Sequence, residues 1–174
     1  KWTGKYFFHK SFSPSENNKD FSMGLKTSYN SNNLTFRVSG IYVGDNYRSD
    51  LGFIKRTGIL KINPDIGYTF WPENKKIQKH KIEVTPVIIW RPELNYQLSD
   101  YFIISRWDGQ LNNGDSFNLS MRNEYTYLYD NFDPTRTENS TPLPANSEYH
   151  YTNFELEYNN YFSSNEFTYS VEQS

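Results

Sequence analysis

The chain has 174 residues, a net charge of −2, 36% apolar and 18% aromatic residues, and no cysteine. These values exclude a disulfide scaffold and a thiolate metal site, and they argue against a nucleic acid held by bulk positive charge. The mean hydropathy of −0.84 would suit disorder, but disordered chains are poor in aromatics, and this one holds 15 Tyr and 13 Phe.

From the N-terminus, residues 2–13 alternate, with Trp2, Tyr6, Phe8 and Phe12 on one side and Lys5, His9 and Ser11 on the other. Phe7 and Lys10 break the rule. A turn at 14–18 precedes 19–29, where Phe21, Met23, Leu25 and Tyr29 oppose Ser22, Lys26 and Ser28. The strand expected at 34–43 sets Phe36, Val38 and Tyr42 against Thr35, Arg37 and Ser39. A long connection over 44–58 leads to 59–71, with Ile66 and Tyr68 opposite Lys61 and Asp65. Pro64 cannot donate to a ladder, so a bulge or strand end is expected there.

Residues 77–90 place Ile82, Val84, Ile88 and Trp90 against Lys81, Glu83 and Thr85, with Pro86 a second irregularity. Both faces of 96–107 are mixed. Asn113-Gly114 reads as a tight hairpin supplying positive φ angles. The stretch 116–129 is the clearest strand: Phe117, Leu119, Met121, Tyr127 and Tyr129 alternate with Arg122, Glu124 and small polar residues. A loop rich in Pro, Thr, Asn and Ser fills 130–150. Then 151–162 sets Phe154 and Leu156 against Glu155 and Glu157, and 166–172 alternates again.

About nine strands, most longer than the ~5–6 residues usual in soluble domains, match the ~9–11 that a tilted strand needs to cross a bilayer. Short and longer connections also alternate, as on the two rims of an outer-membrane barrel. The expected fold is therefore all-β: an antiparallel up-and-down transmembrane β-barrel, of which residues 1–174 form one part. The bland alternative is a secreted β-sandwich. In the barrel reading, Arg37, Lys61, Asp65, Lys81, Glu83, Arg122, Glu124, Glu155 and Glu157 face the lumen. Phe36, Val38, Ile66, Tyr68, Val84, Ile88, Phe117, Leu119, Met121, Phe154 and Leu156 face lipid. Trp71, Trp90, Trp107, Tyr127 and Tyr129 sit at the interfaces.

Several stretches carry a family resemblance. They are Tyr29-Asn30-Ser31-Asn32 with residues 34–44, Asp50-Leu51-Gly52-Phe53-Ile54-Lys55-Arg56-Thr57-Gly58, Gly67-Tyr68, Trp107-Asp108-Gly109 and residues 142–149. Through them the chain resembles the barrel region of a Bacteroidota outer-membrane family in which the barrel follows a domain similar to carbohydrate-binding module family 9. The resemblance implies an outer-membrane location, contact with outer-membrane lipid and lipopolysaccharide, and an N-terminal domain and C-terminal strands outside this sequence. It supplies no catalytic residue and no cofactor.

The residues by themselves offer little chemistry. Glu155 and Glu157 share a face about 6.7 Å apart along a strand, within the range of glycosidase carboxylates, but two lumen carboxylates facing cations such as Arg122 are the favoured reading, because a catalytic pair needs environments that push its two pKa values apart. His9, His80 and His150 have no metal-ligand spacing, and the Asn-x-Ser/Thr triplets at Asn33, Asn118 and Asn139 carry no further signal. Lys55-Arg56 could meet lipopolysaccharide phosphates, but solvated loop charges are the favoured reading. The expected role is a pore, or a platform for a sugar-binding module. The alternatives are a non-conducting subunit of a larger outer-membrane complex and an envelope hydrolase with its active site elsewhere.

Overall fold

The computed structural model describes residues 1–12, 19–49, 56–73, 76–135, 137 and 140–160, and the backbone of 165–173. Nine strands follow in order: β1 (Trp2–Lys10), β2 (Phe21–Asn30), β3 (Leu34–Val43), β4 (Ile59–Phe70), β5 (Ile77–Arg91), β6 (Gln97–Leu111), β7 (Ser116–Leu128), β8 (Ser147–Asn160) and β9 (Asn165–Gln173). Each pairs antiparallel with its sequence neighbours, giving one up-and-down sheet whose edges are β1 and β9. The chain is thus all-β and antiparallel, with the sheet open between its two edges.

Register sorts the side chains into two faces. One row runs Tyr29–Phe36–Ile66–Val84–Ser105–Met121–Phe154, each residue opposite the next. Residues in such a row lie on the same side of the pleat. The apolar face also carries Leu25, Val38, Ile62, Ile82, Ile88, Ile103, Leu119 and Leu156. Lys10 and Glu148 are the only Asp, Glu, Lys or Arg side chains on it among the described residues, and both stand at strand ends. No second layer of described residues covers this face, so Ile66 (50%), Phe154 (46%) and Leu119 (41%) remain exposed.

Aromatic residues gather in two bands at the ends of the apolar face. At the long-connection end, Phe8 stacks on Phe21 and Phe21 meets Tyr42, while farther along Tyr101 stacks on Tyr125. At the short-turn end, Trp2 meets Tyr29, and Tyr68, Phe70, His80, Trp107 and Phe117 follow one another across four strands. The aliphatic residues lie between the bands.

Four expectations are corrected. Pro64 neither ends nor bulges its strand: β4 runs through it, and the β4–β5 ladder is interrupted between Ile62↔Ile88 and Ile66↔Val84, where Pro64 and Pro86 fall opposite each other. Two prolines at one cross-strand position lose the same ladder bonds together, so neither strand needs an extra residue. The Asn63 side-chain amide repairs part of the gap by donating to the Pro86 carbonyl at 3.0 Å. At Asn113-Gly114 only the glycine has positive φ, at 94°. Leu111 N–H donates to Asp115 O and Gly114 N–H to Leu111 O, which is a three-residue loop closed by a glycine bulge rather than a two-residue turn.

The strand after the 130–150 loop starts at Ser147, not 151, because residues 147–150 pair with 125–128. Within the shortened loop, Phe132 and Leu143 exchange backbone hydrogen bonds. The sixth strand extends to Leu111, four residues past its expected end. The expected turns at 14–18 and 163–165, residues 50–55 of the family-like stretch, and Asn139 lie wholly or partly outside the described residues.

Replacing Asn63 by the near-isosteric leucine removes the only side-chain donor to the Pro86 carbonyl among the described residues. It is expected to cost about 1 kcal/mol, read as a lower urea midpoint at unchanged slope.

Candidate functional site on the polar face

The opposite face of the sheet collects the ionic side chains. All nine residues expected to face a lumen (Arg37, Lys61, Asp65, Lys81, Glu83, Arg122, Glu124, Glu155 and Glu157) share it by register. All eleven expected to face lipid lie on the other. Of the five aromatics expected at interfaces, Trp90, Trp107 and Tyr127 are on the apolar face, whereas Trp71 and Tyr129 fall just beyond the ends of β4 and β7.

Register builds two of the ion pairs on this face, and residues two apart on one strand build two more. Arg37 stands opposite Asp65, with Nε 3.4 Å from Oδ2. Glu83 stands opposite Arg106, with Nη1 3.7 Å from Oε1, and also receives Lys81 from its own strand. Gly67 lies opposite Glu83, and the Lys81 chain and the Glu83 carboxylate occupy the space that a Cβ there would take. Arg122 pairs with Glu124 two residues on, and its guanidinium lies 5.4 Å from the Phe102 ring centre. Asp65 also accepts from Thr85 Oγ1 at 3.3 Å. Glu157 accepts from Asn159 at 2.8 Å, so of the Glu155/Glu157 pair one carboxylate is engaged by a neutral amide and nothing in the geometry sets the two apart as acid and base.

A gradient of charge runs across this face. β1 to β3 present Lys5, Lys26 and Arg37 and no acid, β4 to β7 present both signs, and β8 presents Glu155 and Glu157 and no base.

Apolar residues interrupt the polar face toward the long connections. Phe7, Ile41, Ile89 and Phe102, with the buried Val43, Ile59 and Val87, form a patch there. Those three are the only buried large apolar side chains among the described residues. The patch floors a cavity of about 830 Å³ bordered from β1 (Phe7, His9) to β7 (Arg122, Glu124) and rimmed by Arg56 and Asp100. Residues of seven neighbouring strands border this one space.

The sequence held a partial signal for the patch. Phe7 broke the alternation of its strand because its ring lies over Gly24, directly opposite, filling the place of the missing side chain. Likewise the mixed faces of β6 arise because Phe102 and Ile104 turn to the polar side. A second cavity, about 500 Å³, lies at the short-turn end among Thr69, Lys81, Asp108, Asn118 and Glu157.

The long connections are tied together by charge. Lys19, before β2, bonds Glu93 in the short helical turn Pro92–Leu94, and Arg56 bonds Asp100. Arg56 is therefore engaged by a carboxylate, and Lys55 lies outside the described residues. The Lys19 hydrogen bond holds the Glu93 carboxyl below its usual range, while burial, and then the charge and hydrogen bond of Glu93, push Asp45 above its own. No group of three or more His, Cys, Asp or Glu able to hold a metal occurs among the described residues.

No family model, no curated protein and no solved structure matches this chain.

Two outcomes follow from these contacts. Glu83→Gln leaves Lys81 and Arg106 facing a neutral amide at a site where Glu83 is 12% exposed. It is expected to cost about 1–3 kcal/mol, against about 0–1 kcal/mol for the more exposed Arg37→Gln, compared by urea unfolding. Asp45 has a folded-state value above its unfolded one, so its stabilising contribution is present at acid pH and lost as pH rises through the raised value. Asp45→Asn is therefore expected to be the more stable protein at neutral pH, with the gain fading on acidification. Glu93→Gln has the opposite sign, losing stability above the carboxylate range. Thermal melts from pH 3 to 8 check both.

Proposed function

We propose that this chain is part of an outer-membrane β-barrel of the Bacteroidota envelope, acting as a pore or as a membrane platform for a sugar-binding module. Its apolar face meets lipid and its polar face borders an aqueous lumen. The observation that carries this reading is the separation of faces. Leucine, isoleucine and valine lie between two aromatic bands on one side, while the opposite side holds nearly every charge. Phe21 and Tyr29 on β2, and Phe117 and Tyr125 on β7, are eight positions apart. That is ~27 Å along the strand, and a tilt of ~40° brings it to ~21 Å, close to the ~25 Å apolar band of outer-membrane barrels.

A soluble sandwich would need a second layer over the apolar face, and the described residues form a single sheet. Hydrocarbon requires no protein layer there, and the polar cavities then open into water. The family assignment rests on the quoted motif residues, of which Gly67-Tyr68 and Trp107-Asp108-Gly109 lie in β4 and β6.

The chain has no cysteine, so single cysteines report cleanly. Protein carrying Phe154→Cys, Glu155→Cys, Leu156→Cys or Glu157→Cys is labelled with a fluorophore and reconstituted into vesicles containing brominated lipid. Quenching is expected at 154 and 156 and not at 155 and 157. Equal quenching at all four positions, or none at any, overturns the membrane reading.

A further inference from the structure

We infer that Lys5, Lys26 and Lys61 form a binding site for a compact multivalent oxyanion, of the phosphate or phosphate-ester class, on the polar face. Lys5 and Lys26 stand directly opposite each other in the β1–β2 ladder, an arrangement that is repulsive unless something negative lies between. Lys61 projects from β4 on the same face. The three line a cavity of about 330 Å³ together with Ser39 and Asn63, and with Phe7 and Ile41 along one wall.

Two further observations separate this cluster from the ordinary charges of the sheet. No aspartate or glutamate lines the cavity. Among the described residues, Arg37, Arg56, Lys81, Arg106 and Arg122 on or above this face each pair with a carboxylate, whereas Lys5, Lys26 and Lys61 pair with none. Like charges gathered around one cavity without a counter-charge, on a face where Arg37, Arg106 and Arg122 each pair with a carboxylate, mark a place where the counter-charge arrives with a ligand.

The residue type narrows the ligand. Three ammonium groups on flexible stems act as point charges that can close on a polyvalent oxyanion from several sides, as the lysines of phosphate sites do. A cavity of about 330 Å³ leaves room for a phosphate ester whose carbon portion rests against Phe7 and Ile41. Given the membrane orientation proposed above, the site lies on the face away from lipid, and the assignment to a dissolved solute rather than a lipid headgroup rests on that reading. The site does not depend on the membrane reading, since the lysines, the cavity and the register are the same whatever covers the apolar face.

The test uses the full chain folded in a non-ionic detergent, titrated calorimetrically with inorganic pyrophosphate at constant ionic strength. Saturable binding is expected, weakened about tenfold by Lys26→Gln and by Lys5→Gln/Lys61→Gln, and unchanged by Lys79→Gln at the other end of the polar face. Lys26→Gln should also raise the melting temperature without pyrophosphate, as the repulsion with Lys5 is relieved, and abolish the stabilisation that pyrophosphate gives the parent chain. Non-saturable binding, equal weakening by Lys79→Gln, or a parent melting temperature that pyrophosphate leaves unchanged overturns the site. Displacement of pyrophosphate by phosphatidylglycerol micelles at equal phosphate overturns the assignment to a dissolved anion.

Discussion

The register that sets Phe36 opposite Ile66, Ile66 opposite Val84 and Met121 opposite Phe154 decides the side of the sheet on which every other residue falls. A slip of one position in any ladder would carry that strand's ionic side chains among the aliphatic ones, because the side-chain period of a strand is two. The ion pairs Arg37–Asp65 and Glu83–Arg106 reinforce the same alignment, since each joins residues that are cross-strand partners. So do the aromatic pairs at the two ends of the apolar face. Hydrophobic, ionic and aromatic contacts all favour one pairing, as a sequence specifying a unique sheet requires.

Irregularities are placed where they cost least. The two prolines share one cross-strand position, and an asparagine side chain bonds the carbonyl left over. Register shifts are confined to the ends of β5, between Ile77 and Lys79 and between Ile89 and Trp90. Gly67 gives up its own packing so that a half-buried ion pair can lie across it. Each device leaves the central part of the apolar face uninterrupted.

An uncovered apolar face and a charged opposite face place unusual demands on the surroundings. Water on both sides would leave Ile66, Leu119 and Phe154 exposed without return. Hydrocarbon on one side and water on the other satisfies both faces together, which is why the proposed function follows from the polarity of the sheet rather than from a reactive constellation. The apolar patch around Val43, Ile59 and Val87 narrows the polar face toward the long connections, where Arg56, Asp100, Arg122 and Glu124 surround it.

Alternation in single strands was enough to determine that the chain is all-β, that the strands are long, and that Phe117, Leu119 and Met121 part company with Arg122 and Glu124, because a period of two is a local property of the backbone. It also marked Pro64 and Pro86 as irregular points without showing that they meet. Only the assembled sheet decided which residues from different strands meet. The opposition of Pro64 to Pro86, the ring of Phe7 over Gly24, the apolar patch inside the polar face and the lysines of β1, β2 and β4 around one cavity are all set by register. Register depends on pairing between segments distant in sequence, and no single segment encodes it.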